Sequence, residues 1–189
     1  MPLNLITAPT VEPVTVDDMK AHIVLPNNDD DDLIFGLITA ARVHLENDTR
    51  RALVSQTWDY YFDSFPREEF SLPKTPLQSV TSIKYLDSSG TEQTLSSSYY
   101  GVDSYSEPGE VFLKYSYVWP TTYYQENAIY VRFVAGYSAV SAIPEPLKLA
   151  IKLLVGHWYE NRNAANVVNM SEIPMGYEAL VSPYRVHSF

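Results

Sequence analysis

The sequence predicts an α+β chain, a helical bundle formed by N- and C-terminal helices with an antiparallel β-sheet inserted between them. Three observations carry that expectation. Apolar residues recur at about 3.6 positions in the first 54 residues, at about 2 between Ser55 and Tyr137, and again at about 3.6 from Pro144. The last helical stretch is so apolar that it needs covering on most sides. A chain of 189 residues, 46% hydrophobic and 19% charged, fits one domain or one domain with a sizeable insertion. The division reads as an arm and helices over 1–54, a β insertion over 55–143, and a central helix, short helix and tail over 144–189.

Residues 3–14 are apolar but interrupted by Pro9 and Pro13, which suits an extended arm or an edge strand. Thr15 then opens a short helix, with Asp18 three residues on in a capping-box arrangement. Met19 and Ile23 give it an apolar face, and Pro26 ends it. A second helix starts in the run Asn27–Asp32, where Asp29, Asp30, Asp31 and Asp32 favour the positive end of the helix dipole. Clustered carboxylates also suit calcium, but the glycine and terminal glutamate of an EF-hand loop are missing. Leu33, Leu37, Ala40, Ala41, His44 and Leu45 follow at helical spacing, with Ile34 and Ile38 alongside. Arg50 and Arg51 close the helix, and His44 reads as a packed histidine.

In the middle third Trp58, Tyr60 and Phe62 alternate with Thr57, Asp59 and Tyr61, a strand signal. Further strands are predicted at 70–72, 79–86, 91–95, 99–102, 110–115 and 128–134. Asp87–Gly90 and Glu107–Gly109 supply turns between them. The helix from Pro144 to Arg162 begins with Pro144 and Pro146, tolerated in a first turn. Leu147, Ile151, Leu154 and Trp158 form its stripe, and Leu149, Ala150, Leu153 and Val155 widen the apolar surface. Its length approaches that of a membrane span, but Lys148 and Lys152 near its middle argue against one. Residues 161–170 read as a polar loop, 173–180 as a short helix, and 184–189 as an exposed tail or docking arm.

Composition removes several function classes. The chain has no cysteine, which excludes disulfides, thiolate zinc sites and a cysteine nucleophile. No basic segment followed by an apolar run opens it, so no signal peptide is expected and the default location is the cytoplasm. The net charge is −10, shared between the first two segments, while the third sums to zero. An acidic chain without a basic stripe is a poor nucleic-acid binder, although like charge would let DNA pass without sticking. Neither GxxxxGK nor GxGxxG occurs, and Gly136-Tyr-Ser-Ala lacks the glycine of a nucleophile elbow. His157 and Glu160, three apart, have the spacing of half a di-iron site, but no second pair accompanies them. No catalytic residue, metal site or cofactor is therefore expected; His157 is read as packing near Trp158, and Glu160 as facing solvent. Tyr99, Tyr100, Tyr105, Tyr115, Tyr117, Tyr123 and Tyr124 crowd one region. They fit a half-buried sheet, a protein interface or a sugar-binding face.

The order of segments carries a resemblance. Leu5-Ile-Thr-Ala-Pro9 and Glu12-Pro-Val-Thr15 precede the acid-led helix 29–51 and Gln56-Thr-Trp58. Leu77-Gln-Ser-Val-Thr-Ser-Ile-Lys-Tyr85, Val131-Arg-Phe-Val-Ala-Gly-Tyr137, Ile143-Pro-Glu-Pro146, His157-Trp-Tyr-Glu-Asn-Arg162 and Pro183-Tyr-Arg185 follow. Together they resemble the head–tail connector proteins (adaptors, head-completion proteins) of tailed bacteriophages and prophages, nearly from end to end. The resemblance implies a non-enzymatic virion protein, made in the host cytoplasm. Twelve copies would form a ring under the portal protein and meet a tail-side connector or stopper, with genomic DNA passing through the lumen and no membrane involved. On that footing Leu147, Ile151, Leu154 and Trp158 are ring or helix packing candidates, and Asp29, Asp30, Asp31 and Asp32 are lumen candidates. Tyr184, Arg185 and Phe189 are candidates for docking on the portal. The β insertion would project outward or toward the tail side. An aromatic-rich glycan- or protein-binding module of a phage particle is the alternative.

Overall fold

The structure is a computed structural model that describes residues 2–161 and 175–186, with the side chain of Met175 left aside. The chain is α+β and forms two compact units, residues 2–9 with Val54–Ser138, and Thr10–Leu53 with residues 139–186. The first unit holds every strand; the second holds the helices.

In the strand unit, β1 (Leu3–Thr7), β2 (Gln56–Phe62), β8 (Ile129–Ala135), β4 (Leu77–Leu86) and β5 (Glu92–Thr94) lie side by side in that order. All neighbours run antiparallel. The N-terminal arm is thus the edge strand of this sheet. A second sheet has β3 (Glu69–Ser71), β7 (Glu110–Leu113) and β6 (Tyr100–Asp103) in that order. The strand-forming stretches fall where their alternation places them, but they build two sheets. The central strand β8 buries Ile129, Val131, Phe133 and Ala135 and leaves Tyr130, Arg132 and Val134 half-covered. Opposite side chains in an antiparallel pair share a face, so Phe62, Tyr60 and Trp58 join that core through their partners Ile129, Val131 and Phe133.

The β4–β5 turn is fixed by Asp87, whose carboxylate accepts from the Ser89 hydroxyl (2.6 Å), the Gln93 amide (2.9 Å), and the backbone N–H groups of Ser89 and Thr91 (2.9 and 3.1 Å). Those bonds, the Ser89 hydroxyl first, pull its carboxyl down to about 2. Past β8 the chain turns at Gly136, with φ of +111°; a Cβ there would lie 2.2 Å from the Val54 carbonyl oxygen.

In the helical unit, α1 (Val16–Ile23) carries the expected capping box. The Asp18 amide donates to the Thr15 hydroxyl at 3.0 Å, and the Thr15 amide to the Asp18 carboxylate at 3.4 Å. The helix ends at Val24 in the left-handed region, two residues ahead of Pro26. The second helix, α2 (Asp31–Thr49), differs from expectation in the face it buries. Ile34, Ile38, Ala41 and Leu45 are fully buried; Leu33 and Ala40 are exposed, and Leu37 and His44 lie at the boundary. Apolar residues surround this helix, so spacing alone does not select the inward stripe. Arg42 and Glu46 are buried on it as an ion pair at 3.0 Å, and Glu12 completes the triad at 2.7 Å from Arg42.

Helix α3 (Glu145–Glu160) buries Leu147, Ala150, Ile151, Leu154 and Val155. Leu149, expected to widen that surface, is exposed. Positions for a Cβ on Gly156 come within 3.8 and 3.9 Å of Ile23 and Met19, so α1 lies against this helix. The short helix α4 (Met175–Val181) and a 3₁₀ turn at Ser182–Tyr184 follow. The loop expected over 161–170 lies, but for Asn161, outside the described residues. Among the described residues no helix is long and apolar enough to cross a membrane.

Candidate assembly surfaces

Four surfaces bear on the expectations from sequence. The first is the C-terminal segment. Asp48, in the last turn of α2, accepts two hydrogen bonds from Arg185, from Nε and Nη2 at 2.9 Å each, and one from the Tyr177 hydroxyl at 3.1 Å. Arg185 also reaches Glu178 at 2.9 Å. The Val186 amide donates to the Thr49 carbonyl at 3.1 Å, and Arg51 Nε to the Tyr184 carbonyl at 2.7 Å. Partial burial would raise the Asp48 carboxyl, but the Arg185 and Tyr177 bonds outweigh it and hold it below the usual carboxylate range. Burial first, and then the Asp48 charge, push the Tyr177 phenol up. Tyr184 and Arg185, read from sequence as part of an exposed tail or a docking arm, are thus tied to this chain, Arg185 to Asp48 in α2 and the Tyr184 carbonyl to Arg51 just beyond it. Phe189 lies outside the described residues.

The second is the acidic start of α2. Asp31 pairs with the nearly buried Lys20 at 2.9 Å, Lys20 also holds the Asn28 side chain, and Asp30 accepts from the Tyr159 hydroxyl. Asp29 accepts from the Asn27 amide at 3.0 Å, and Asp32 is exposed. Three of the four carboxylates therefore have a partner within the chain, and Asp29 and Asp32 are the two that are exposed.

The third is the stripe on α3. Leu147, Ile151 and Leu154 are buried within the helical unit. Trp158 is half-buried and sits edge-on to His44, with ring centroids 6.2 Å apart at 82°; Tyr177 lies on another side of His44, at 5.9 Å. The histidine packed on Trp158 is therefore His44. His157, expected there, is instead within 3.4 Å of the Asn161 amide nitrogen, and Glu160 is exposed.

The fourth is aromatic. Tyr100 alone of the crowded tyrosines lies in a strand and is buried; Tyr105, Tyr115 and Tyr124 are in loops and fully exposed. The Tyr99 and Tyr117 rings lie 4.6 Å apart, tilted by 47°. Beside them an open cavity of about 450 Å³ is lined by Arg67, Glu69, Phe112, Lys114, Tyr115 and Tyr117. Alternation cannot place a tyrosine in a loop, which is why the sheet reading fits only one of the seven. Sequence reading missed Asp48 and Tyr177, whose only local signals were an acid at a helix end and a tyrosine in a short helix.

Among the described residues no group of three or more histidines and carboxylates converges as a metal site. The chain belongs to the head completion protein family, whose model matches residues 12–171. Its fold is similar to a chain in the neck of an empty gene transfer agent particle computed with C6 symmetry, at 22% identity and a TM-score of 0.83. It is also similar to chains in the virion of the native gene transfer agent particle (22%, 0.82) and in the neck of the native particle computed with C12 symmetry (21%, 0.82). Each comparison covers 100% of this chain and 97% of the other. No curated protein sequence matches the chain.

Proposed function

We propose that the chain is a head–tail connector of a virion, a structural protein without catalytic activity. The observation that carries this reading is the family match over residues 12–171, supported by a fold shared from end to end with chains of particle necks. Copies assemble in the host cytoplasm into a ring, of twelve by analogy with the C12 neck. The ring stacks under the portal protein and passes DNA through its lumen to a tail-side connector or stopper. The helices of 1–54 and 144–189 act as a bundle that forms the ring body, and the strands offer the tail-side surface. Ring closure follows when a head-to-tail contact repeats around one axis.

The acidic start of α2 is the proposed lumen face, since a negative wall lets DNA slide. With Asp30 and Asp31 engaged inside the chain, Asp29 and Asp32 carry that role. Reversing both should impair DNA retention or ejection; unaltered particles would remove them from the lumen. In the C-terminal segment Arg185 anchors the arm to α2 and the Tyr184 carbonyl anchors it to Arg51, and residues 187–189 are the part left to meet the portal. Deleting 187–189 should abolish portal binding without unfolding the chain; unchanged binding would sink that assignment. The primary test is cryo-electron microscopy of the protein with its cognate portal, where a coaxial ring is expected. A chain that ignores the portal would overturn the connector reading.

The exposed tyrosine loops favour one second reading, a glycan- or protein-binding module of a phage particle. A glycan array without hits, and particles that adsorb normally after Tyr115→Ser and Tyr124→Ser, would remove it.

A further inference from the structure

Three of the four residues of the α3 stripe, Leu147, Ile151 and Leu154, are buried inside the chain, which leaves other apolar faces as candidates for a contact between copies. Helix α2 has one. Leu33 and Val43 are 40% and 44% exposed, on the side away from buried Ile34, Ile38, Ala41 and Leu45; Phe35, 55% exposed, lies on the other flank of the helix. Between Leu33 and Asn47 the only charged residues are Arg42 and Glu46, and both are buried, so this stretch presents no charge to solvent. In a chain of net charge −10, that is a surface on which two like-charged copies can meet with only Asp32, exposed one turn before Gly36, at its edge.

Gly36 and Ala40, both exposed, lie one turn apart between the larger side chains. A Cβ built on Gly36 meets nothing within 4 Å. Gly101 and Gly136 differ, because a Cβ would meet Phe112 at 2.5 Å and Val54 at 2.2 Å. A glycine in a helix interior is unfavourable relative to alanine. Among the described residues nothing requires one at Gly36. A body that approaches the helix backbone closely from outside the chain would require one.

We propose that the outer face of α2, from Leu33 to Val43 with Gly36 as its seat, is one half of the contact between successive copies of this chain. The inference rests on the ring reading above, and the rotational symmetry of the similar neck particles is what selects a second copy as the occupant. A ring contact is head-to-tail, so the other half is a different face of the neighbouring copy.

The test is Gly36→Arg, with Val43→Glu as a second variant on the same face, in assembled particles. Copies per neck are counted by quantitative mass spectrometry and cryo-electron microscopy. Both side chains enter open solvent, so each purified variant should keep the wild-type circular dichroism spectrum, and Gly36→Arg should melt no lower than wild type. The expected result is several wild-type copies per neck and at least a tenfold loss for both variants. If the variants enter the neck at wild-type copy number, the α2 face is not the contact, and the ring reading stands. A neck that holds one wild-type copy overturns both.

Discussion

Asp48 gathers more of the C-terminal segment than any sequence motif announced. With Asp48 and Arg185 side chains only 24% and 29% exposed, and two parallel hydrogen bonds between them, the pair is more than a surface ion pair. Asp48→Asn should destabilise the chain by about 1–2 kcal/mol and speed hydrogen exchange at the Val186 amide. The pH dependence has a definite sign. The folded Asp48 carboxyl lies below its unfolded value, which is about 3.9. Its contribution is thus complete above that value and is lost as pH falls through the lowered one. Exchange at Val186, referred to the unfolded rate, should rise below about pH 4 in wild type and stay flat in Asp48→Asn. Loosening on raising the pH would contradict the assignment. Asp59 is a second such case. It is 2% exposed and accepts from Arg132 Nε and Nη2 at 2.8 and 2.7 Å. Its hydrogen bonds hold Arg132 firmly protonated. Arg132→Ala would leave a buried carboxyl without its partner and should cost about 2–3 kcal/mol in urea denaturation.

Elements were legible wherever a local rule decided them. The capping box at Thr15 and Asp18 is a rule about two residues three apart, and it is present. Thr15→Ala should lower stability by about 1 kcal/mol, seen as a lower melting temperature. The alternation in β8 is likewise local, and its four inward residues are all buried. The reading failed where a decision belonged to the tertiary environment. Helix α2 is apolar around its circumference, so which stripe turned inward depended on α3 and on Glu12, far away in sequence. Asp59 sat at a position that alternation marks as outward and polar, yet Arg132 on β8 allows it to be buried. The strands were found, but nothing in their spacing said that β3, β7 and β6 would leave the larger sheet. Nothing local marked Tyr184 and Arg185 as held by this chain, because their partners, Arg51 and Asp48, are remote in sequence.

At the scale of the whole molecule, net charge and the proposed contact make opposed demands that salt can separate. Each copy carries −10, and a ring brings many such copies together. The seam proposed on α2 is uncharged, so ionic pairs contribute little to it, while the remaining surfaces repel. At about 0.01 M salt that repulsion extends roughly 30 Å and opposes closure; at about 0.15 M it is confined to roughly 8 Å. Apolar contact itself changes little over this range. Ring formation should therefore strengthen as salt rises from about 0.01 to 0.15 M, measured as a shift of the sedimentation profile toward the multi-copy species in the presence of portal. A contact built on salt bridges would do the reverse and fall apart with added salt. Weakening with salt would thus place the seam on charged residues and away from Leu33, Gly36 and Val43. Strengthening, together with its loss in Val43→Glu, would assign the seam to this face.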